Sequence, residues 1–166
     1  GSFGSGGSGH GVLLQGEAHD NEIGNDGNSP GVVYEGNLIS GNPSQGVFIN
    51  GASHNHVAGN FIGTDPTGTA AAPQNLGVPA DIYIDWTSPN NTIGGSTPAA
   101  RNLISGGGQA DGIVVGSSGN VIEGNLIGTN AAGNGALGNA YGIYIALGGA
   151  DNNRIGGVGA AARDVI

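Results

Sequence analysis

The chain has 166 residues, among them 37 glycines and 7 prolines but no cysteine. Twelve acidic residues against three arginines and no lysine leave a formal net charge of −9; that argues against nucleic acid and anionic membrane surfaces as partners, because phosphate contacts need Lys and Arg. Disulfides, thiolate metal sites and cysteine nucleophiles are excluded, no apolar run reaches the length of a membrane span, and at this glycine content only a periodic apolar pattern separates a folded chain from a disordered one.

That period is present. Residues 1–10 read as a Gly/Ser-rich lead-in, and a single domain is expected over 11–166. The first apolar run is Gly11-Val12-Leu13-Leu14, followed by Asn21-Glu22-Ile23 and then Asn37-Leu38-Ile39. The same triple returns as Gly46-Val47-Phe48-Ile49, Asn55-His56-Val57 and Asn60-Phe61-Ile62. A third unit holds Asp81-Ile82-Tyr83-Ile84, Asn91-Thr92-Ile93 and Asn102-Leu103-Ile104. The fourth has Gly112-Ile113-Val114-Val115, Asn120-Val121-Ile122 and Asn125-Leu126-Ile127; the fifth has Gly142-Ile143-Tyr144-Ile145, Asn153-Arg154-Ile155 and Asp164-Val165-Ile166. Units start near 11, 46, 81, 112 and 142, spaced by 35, 35, 31 and 30 residues.

Each run is short, β-branched and bounded by Gly or Asn, which reads as strand, and no helix is legible. One such unit cannot bury its own apolar side, whereas stacked units bury a continuous column. The expected fold is all-β: a right-handed parallel β-helix, or solenoid, of about five coils of 30–35 residues with three short strands each. Val12, Val47, Ile82, Ile113 and Ile143 should face inward, as should Leu14, Ile49, Ile84, Val115 and Ile145 two residues on. The Asn opening the third strand (Asn37, Asn60, Asn102, Asn125) should form a corner ladder, each amide bonding backbone and the Asn of the next coil. A two-coil alternation is also visible. Units one, three and five carry an insert between their second and third strands; units two and four instead add Gly/Ala/Asn loops at 64–80 and 129–141.

Two stretches carry a family resemblance. Asn91-Thr92-Ile93-Gly94-Gly95 with Ala99-Ala100-Arg101-Asn102-Leu103-Ile104-Ser105-Gly106 is one; the run from Gly124 to Asn139, Gly-Asn-Leu-Ile-Gly-Thr-Asn-Ala-Ala-Gly-Asn-Gly-Ala-Leu-Gly-Asn, is the other. They resemble the repeats of pectin-lyase-like right-handed β-helices, and more narrowly the tandem arrays of bacterial secreted and surface proteins. The resemblance covers the chain from residue 10 onward. It implies the fold but leaves lyases, hydrolases, adhesins and fibres open.

Enzymes of that kind work on an outer face with clustered carboxylates, often with Ca²⁺ and a basic residue. Asp81, Asp85 and Asp111 are the best acidic group here, Asp111 being expected one coil above Asp81; a Ca²⁺ there would rest on oxygen ligands alone. No paired-acid motif suited to glycosidic cleavage is visible, and lysine is absent. Arg101 and Arg163 recur in equivalent inserts, which points to a structural role such as binding loop carbonyls. His10, His19, His54 and His56 read as turn residues rather than a metal set; His19 and His54 occupy similar positions. The expectation is therefore no catalytic residue, no cofactor and no metal.

The outward column of the first strand, Leu13, Phe48, Tyr83, Val114 and Tyr144, is apolar where a solvated face would be polar, which marks a contact face that Trp86 could join. A second outward column, Leu38, Phe61, Leu103, Leu126 and Val165, should be covered by the long loops. At the ends, Val165 and Ile166 lead in phase into Gly4 to Gly11, an axial junction. The chain reads either as part of a longer array or as a subunit stacking head to tail on itself. The expected function is a non-enzymatic shaft of an extracellular fibre, filament or surface adhesin. The alternative is a β-helix that binds or cleaves an extracellular polysaccharide.

Overall fold

The protein is described by a computed structural model covering residues 9–25, 36–73, 80–146 and 148–166. Strands form where two to five apolar or β-branched residues stand between Gly, Asn or Ser, a composition that suits a pleated, buried surface. The first coil holds β1 (Val12–Gln15), β2 (Glu22–Gly24) and β3 (Leu38–Ile39). The second holds β4 (Val47–Asn50), β5 (His56–Ala58) and β6 (Phe61–Ile62). The third holds β7 (Ala80–Ile84), β8 (Thr92–Gly94) and β9 (Leu103–Ile104). The fourth holds β10 (Asp111–Val115), β11 (Val121–Glu123) and β12 (Leu126–Ile127). The fifth has β13 (Ile143–Ile145) and β14 (Arg154–Ile155), and its third side is a single parallel bridge from Val165 to Leu126. The stack is thus about four turns with a partial fifth, where five coils are expected from the repeat. No helix occurs among the described residues.

All strand pairs are parallel and fall into three sheets, β1-β4-β7-β10-β13, β2-β5-β8-β11-β14 and β3-β6-β9-β12. The protein is a parallel β-solenoid with three strands per coil. Register places like on like: Val12, Val47, Ile82, Ile113 and Ile143 in one row, Ile23, Val57, Ile93, Ile122 and Ile155 in the next. Ile39, Ile62, Ile104 and Ile127 form the third. In the middle coils these side chains are wholly buried, whereas Ile145 and Ile155 of the fifth coil remain 44% and 45% exposed. Each coil is the lid of its neighbour's core.

Two amide ladders hold the corners. Asn37 donates its backbone N–H and Nδ2 to Asn60 Oδ1, both at 3.0 Å. Asn60 does the same to Asn102 Oδ1 at 2.9 and 3.1 Å, Asn102 Nδ2 reaches Asn125 Oδ1 at 2.9 Å, and Asn125 ends on Asp164 Oδ1 at 2.8 and 3.1 Å. The other Nδ2 hydrogen goes to the preceding coil's backbone, as from Asn102 to Val57 O at 2.8 Å. A second ladder runs from Asn21 through Asn55, Asn91 and Asn120 to Asn153. Asn60, Asn102 and Asn125 are fully buried; a buried amide is tolerated because its donors and acceptor are used. Immediately before the second ladder, Asp20, His54, Asn90 and Asn152 adopt left-handed φ of 56° to 61°. Asn and Asp enter that region at less cost than most residues.

The two-coil alternation has a backbone counterpart. Gly94 pairs in register with Glu123, but only Gly94 has a left-handed φ, 88°, and a Cβ there would run into the Glu123 carbonyl oxygen. In the third coil the insert follows directly after Gly94. The insert returns its Ala100 carbonyl to Gly59 N at 3.1 Å, and in the fifth coil Ala162 does the same for Gly124 at 3.1 Å. Arg101 Nε donates to Gly124 O at 2.8 Å, so this arginine holds a loop carbonyl. The loops of coils two and four each close through an antiparallel bridge, Thr64 to Ala71 and Thr129 to Ala136. They meet across the third coil, Ala131 N donating to Gly68 O at 2.8 Å. Gly68 lies against Leu103 and Phe61, and Gly133 against Leu126. Leu103 and Leu126 are accordingly buried, while Leu38 is 47% exposed.

Candidate functional site

The outward column of the first sheet is aligned by register as Leu13, Phe48, Tyr83, Val114 and Tyr144, but it is not one stripe. Val114 stands between two tyrosines and is only 5% exposed: the small side chain is sheltered by larger neighbours. The column divides into two aromatic groups. Phe48 and Tyr83 meet edge to face, centroids 5.5 Å apart at 79°, with His10 5.0 Å from Phe48. At the far end Tyr144 stacks on Tyr141 at 5.6 Å and 26°, and both are exposed.

Trp86 lies two residues past the end of β7 and is 64% exposed. With Gln45, Phe48, Asn50, Tyr83 and Asp85 it bounds an open depression of about 550 Å³ on the outside of coils two and three. Asp85 shapes the turn that presents the indole. Its Oδ1 accepts from Ser88 Oγ at 2.6 Å, Thr87 Oγ1 at 2.8 Å and Thr87 N at 2.9 Å, and more weakly from Gly51 N at 3.3 Å. Burial pushes this carboxyl's pKa up, but the hydrogen bonds outweigh it and hold the group below the usual carboxylate range. The carboxylate is thus charged and committed to the turn. His10, packed against Phe48, is held below the ordinary imidazole value by burial, opposed by a hydrogen bond with Gln45. Asn50 is legible from sequence, since it lies two residues beyond Phe48 on the same side of β4. Gln45 precedes the strand and carries no sequence signal of its place.

The three acids proposed for Ca²⁺ do not converge. Asp111 pairs with Ala80, so Gly112 stands beside Asp81, one residue out of step with the expectation. Adjacent strand residues point to opposite faces. Asp111 Oδ1 accepts from Tyr141 N at 3.2 Å, Asp81 is 2% exposed, and Asp85 caps its own turn. Among the described residues no three His, Asp or Glu side chains are grouped to hold a metal ion. The histidines are likewise separate. His19 bridges in register to Ser53 rather than His54 and contacts Asp20 at 2.7 Å; His56 Nε2 lies 2.6 Å from Gly94 O. Arg154 Nη1 pairs with Glu123 at 2.8 Å, and Arg163 is exposed.

Of the axial-junction residues, Gly11 lies in the first coil, bonded to Gln45 O at 3.1 Å, and Val165 in the fifth, bonded to Asn125 O at 2.9 Å. Ile166 is 67% exposed at that far side, and Gly4 falls outside the described residues. No described helix is long and apolar enough to cross a membrane. Comparison with family models, curated proteins and solved structures returns no match to this chain. The class defined here is therefore the parallel β-solenoid, and function is argued from its surfaces.

Proposed function

We propose that this chain is a non-enzymatic structural repeat, a rigid shaft segment of an extracellular fibre, filament or surface adhesin. The observation that carries the reading is the self-complementarity of the stack. In the parallel sheets each coil both donates and accepts backbone hydrogen bonds across one face, as from Val12 N to Gly46 O at 2.8 Å and from His56 N to Asn21 O at 2.9 Å, and two amide ladders repeat the same contact at each step, so a coil accepts a like coil without a new kind of contact. The half-exposed Ile145 and Ile155 present the apolar rows such a coil would cover. The separation of Asp81, Asp85 and Asp111 supports a non-catalytic reading, because glycosidic cleavage needs two carboxyls at working distance.

Immunogold electron microscopy of the source material tests the proposal. Label repeating along an extracellular appendage is expected, as is the absence of new reducing or unsaturated ends when the chain is incubated with pectin or alginate, with or without Ca²⁺. Label confined to the cell interior, or turnover abolished by Asp85→Asn, overturns it.

A further inference from the structure

We infer that the depression bounded by Trp86, Tyr83 and Phe48 is a binding site for a neutral oligosaccharide. The inference goes beyond the shaft reading and does not depend on it. A pyranose ring presents a C–H face and a rim of hydroxyls, and the depression offers a match for each. The indole of Trp86 is 64% exposed and borders the same depression as the half-buried Phe48–Tyr83 pair, so the three rings supply its apolar surface. The Asn50 amide and the Tyr83 hydroxyl border the same space, and neither has a side-chain hydrogen bond within the described residues. An amide supplies two donors and an acceptor, and a phenol one of each, which is the mixed pattern vicinal hydroxyls require. At about 550 Å³ the space is of the size of small-ligand sites.

Charge decides between glycan classes. No arginine borders the depression and the chain has no lysine. The ionised Asp85 lies in its wall, and His10, packed against Phe48, is held toward the neutral form. An acidic glycan would bring its carboxylates toward a negative wall with no cation in reach. A quaternary ammonium ligand is disfavoured for another reason. It needs converging ring faces, whereas Phe48 and Tyr83 stand edge to face and the Asp85 carboxylate is already filled by its own turn.

Trp86 is the chain's single tryptophan, so its emission reports on this site alone. The full chain would be titrated with cellohexaose, xylohexaose, mannohexaose, hexagalacturonate and choline. A saturable blue shift with at least one neutral hexasaccharide, and none with hexagalacturonate or choline, is the expected result. By calorimetry Trp86→Ala should weaken that binding at least about tenfold. Asn50→Ala should weaken it several-fold, while Tyr141→Ala, on the distant ring pair, leaves it unchanged; circular dichroism checks that each variant keeps its strands. Silence toward all three neutral sugars at about 10 mM, where a site with a Kd of about 1 mM would be nearly saturated, overturns the inference. So does a response to hexagalacturonate or choline as strong as the neutral one, or full binding by folded Trp86→Ala and Asn50→Ala variants. Microscopy of the source material can fail while this binding holds, and the reverse, so the two readings fall separately.

Discussion

Asn102 is wholly buried yet polar, and the stack depends on it. It accepts from both Asn60 donors and gives its own amide hydrogens to Val57 O and Asn125 Oδ1. Asn102→Ala would take a partner from two donors and two acceptors where water does not reach. At about 1–3 kcal/mol per unsatisfied group, urea unfolding should show a loss of at least about 3 kcal/mol. Asp164 is the natural counter-case, an acid on the last rung. Burial raises its pKa, the Asn125 and Gly156 hydrogen bonds pull it down, and the Glu123 charge adds to the rise. Its folded pKa therefore exceeds the unfolded one. Its contribution is fully present below the unfolded value and is lost as pH rises through the folded value. Asp164→Asn, whose amide nitrogen cannot accept from Gly156 N as Asp164 Oδ2 does at 3.0 Å, should accordingly lower Tm, and by less at pH 7 than at pH 3. Gly94 is a third test, because its left-handed φ coincides with a carbonyl where a Cβ would sit. Gly94→Ala should cost at least about 2 kcal/mol, against no more than about 0.5 kcal/mol for Gly138→Ala, where a Cβ meets nothing within 4 Å.

The strands, of two to five residues, are too short to hold by themselves; pairing and burial hold them. Ile84 shows the consequence, wholly buried between Ile49 and Val115 of the neighbouring coils. Ile84→Asp would place an unpaired charge in that row at a cost of several kcal/mol, against a total of about 5–15 kcal/mol. Loss of the β-type circular dichroism spectrum is expected; a soluble variant with an unchanged spectrum would refute the inward placement. Strand positions were legible because period two is written directly in runs such as Val47-Phe48-Ile49. Cover of Leu103 by a loop was legible too, since the loop starts beside that column. The direct bond from Ala131 to Gly68 was not, because it joins loops two coils apart. Pro66 occupies the corresponding place in the earlier loop and has no N–H to donate.

Over the whole molecule, stability should be graded along the axis, since each coil touches only its neighbours. Amides of β7 and β8 should resist hydrogen exchange far longer than those of β13 and β14, whose Ile145 and Ile155 are half exposed. Equal protection throughout would show that coil five is as well buried as coil three. The sequence by itself determined the coil, the inward rows, the amide ladder and the two-coil alternation. The reason is physical: a solenoid stacks equivalent residues one strand spacing apart, so a repeat in sequence is already a column in space. Tertiary structure alone decided what lies between columns. A shift of one residue parted Asp111 from Asp81, two tyrosines sheltered Val114, and the Asp85 turn carried Trp86 out beside Gln45 and Asn50. Such outcomes depend on exact register and on turns outside the repeat, where a side chain's neighbours come from other coils.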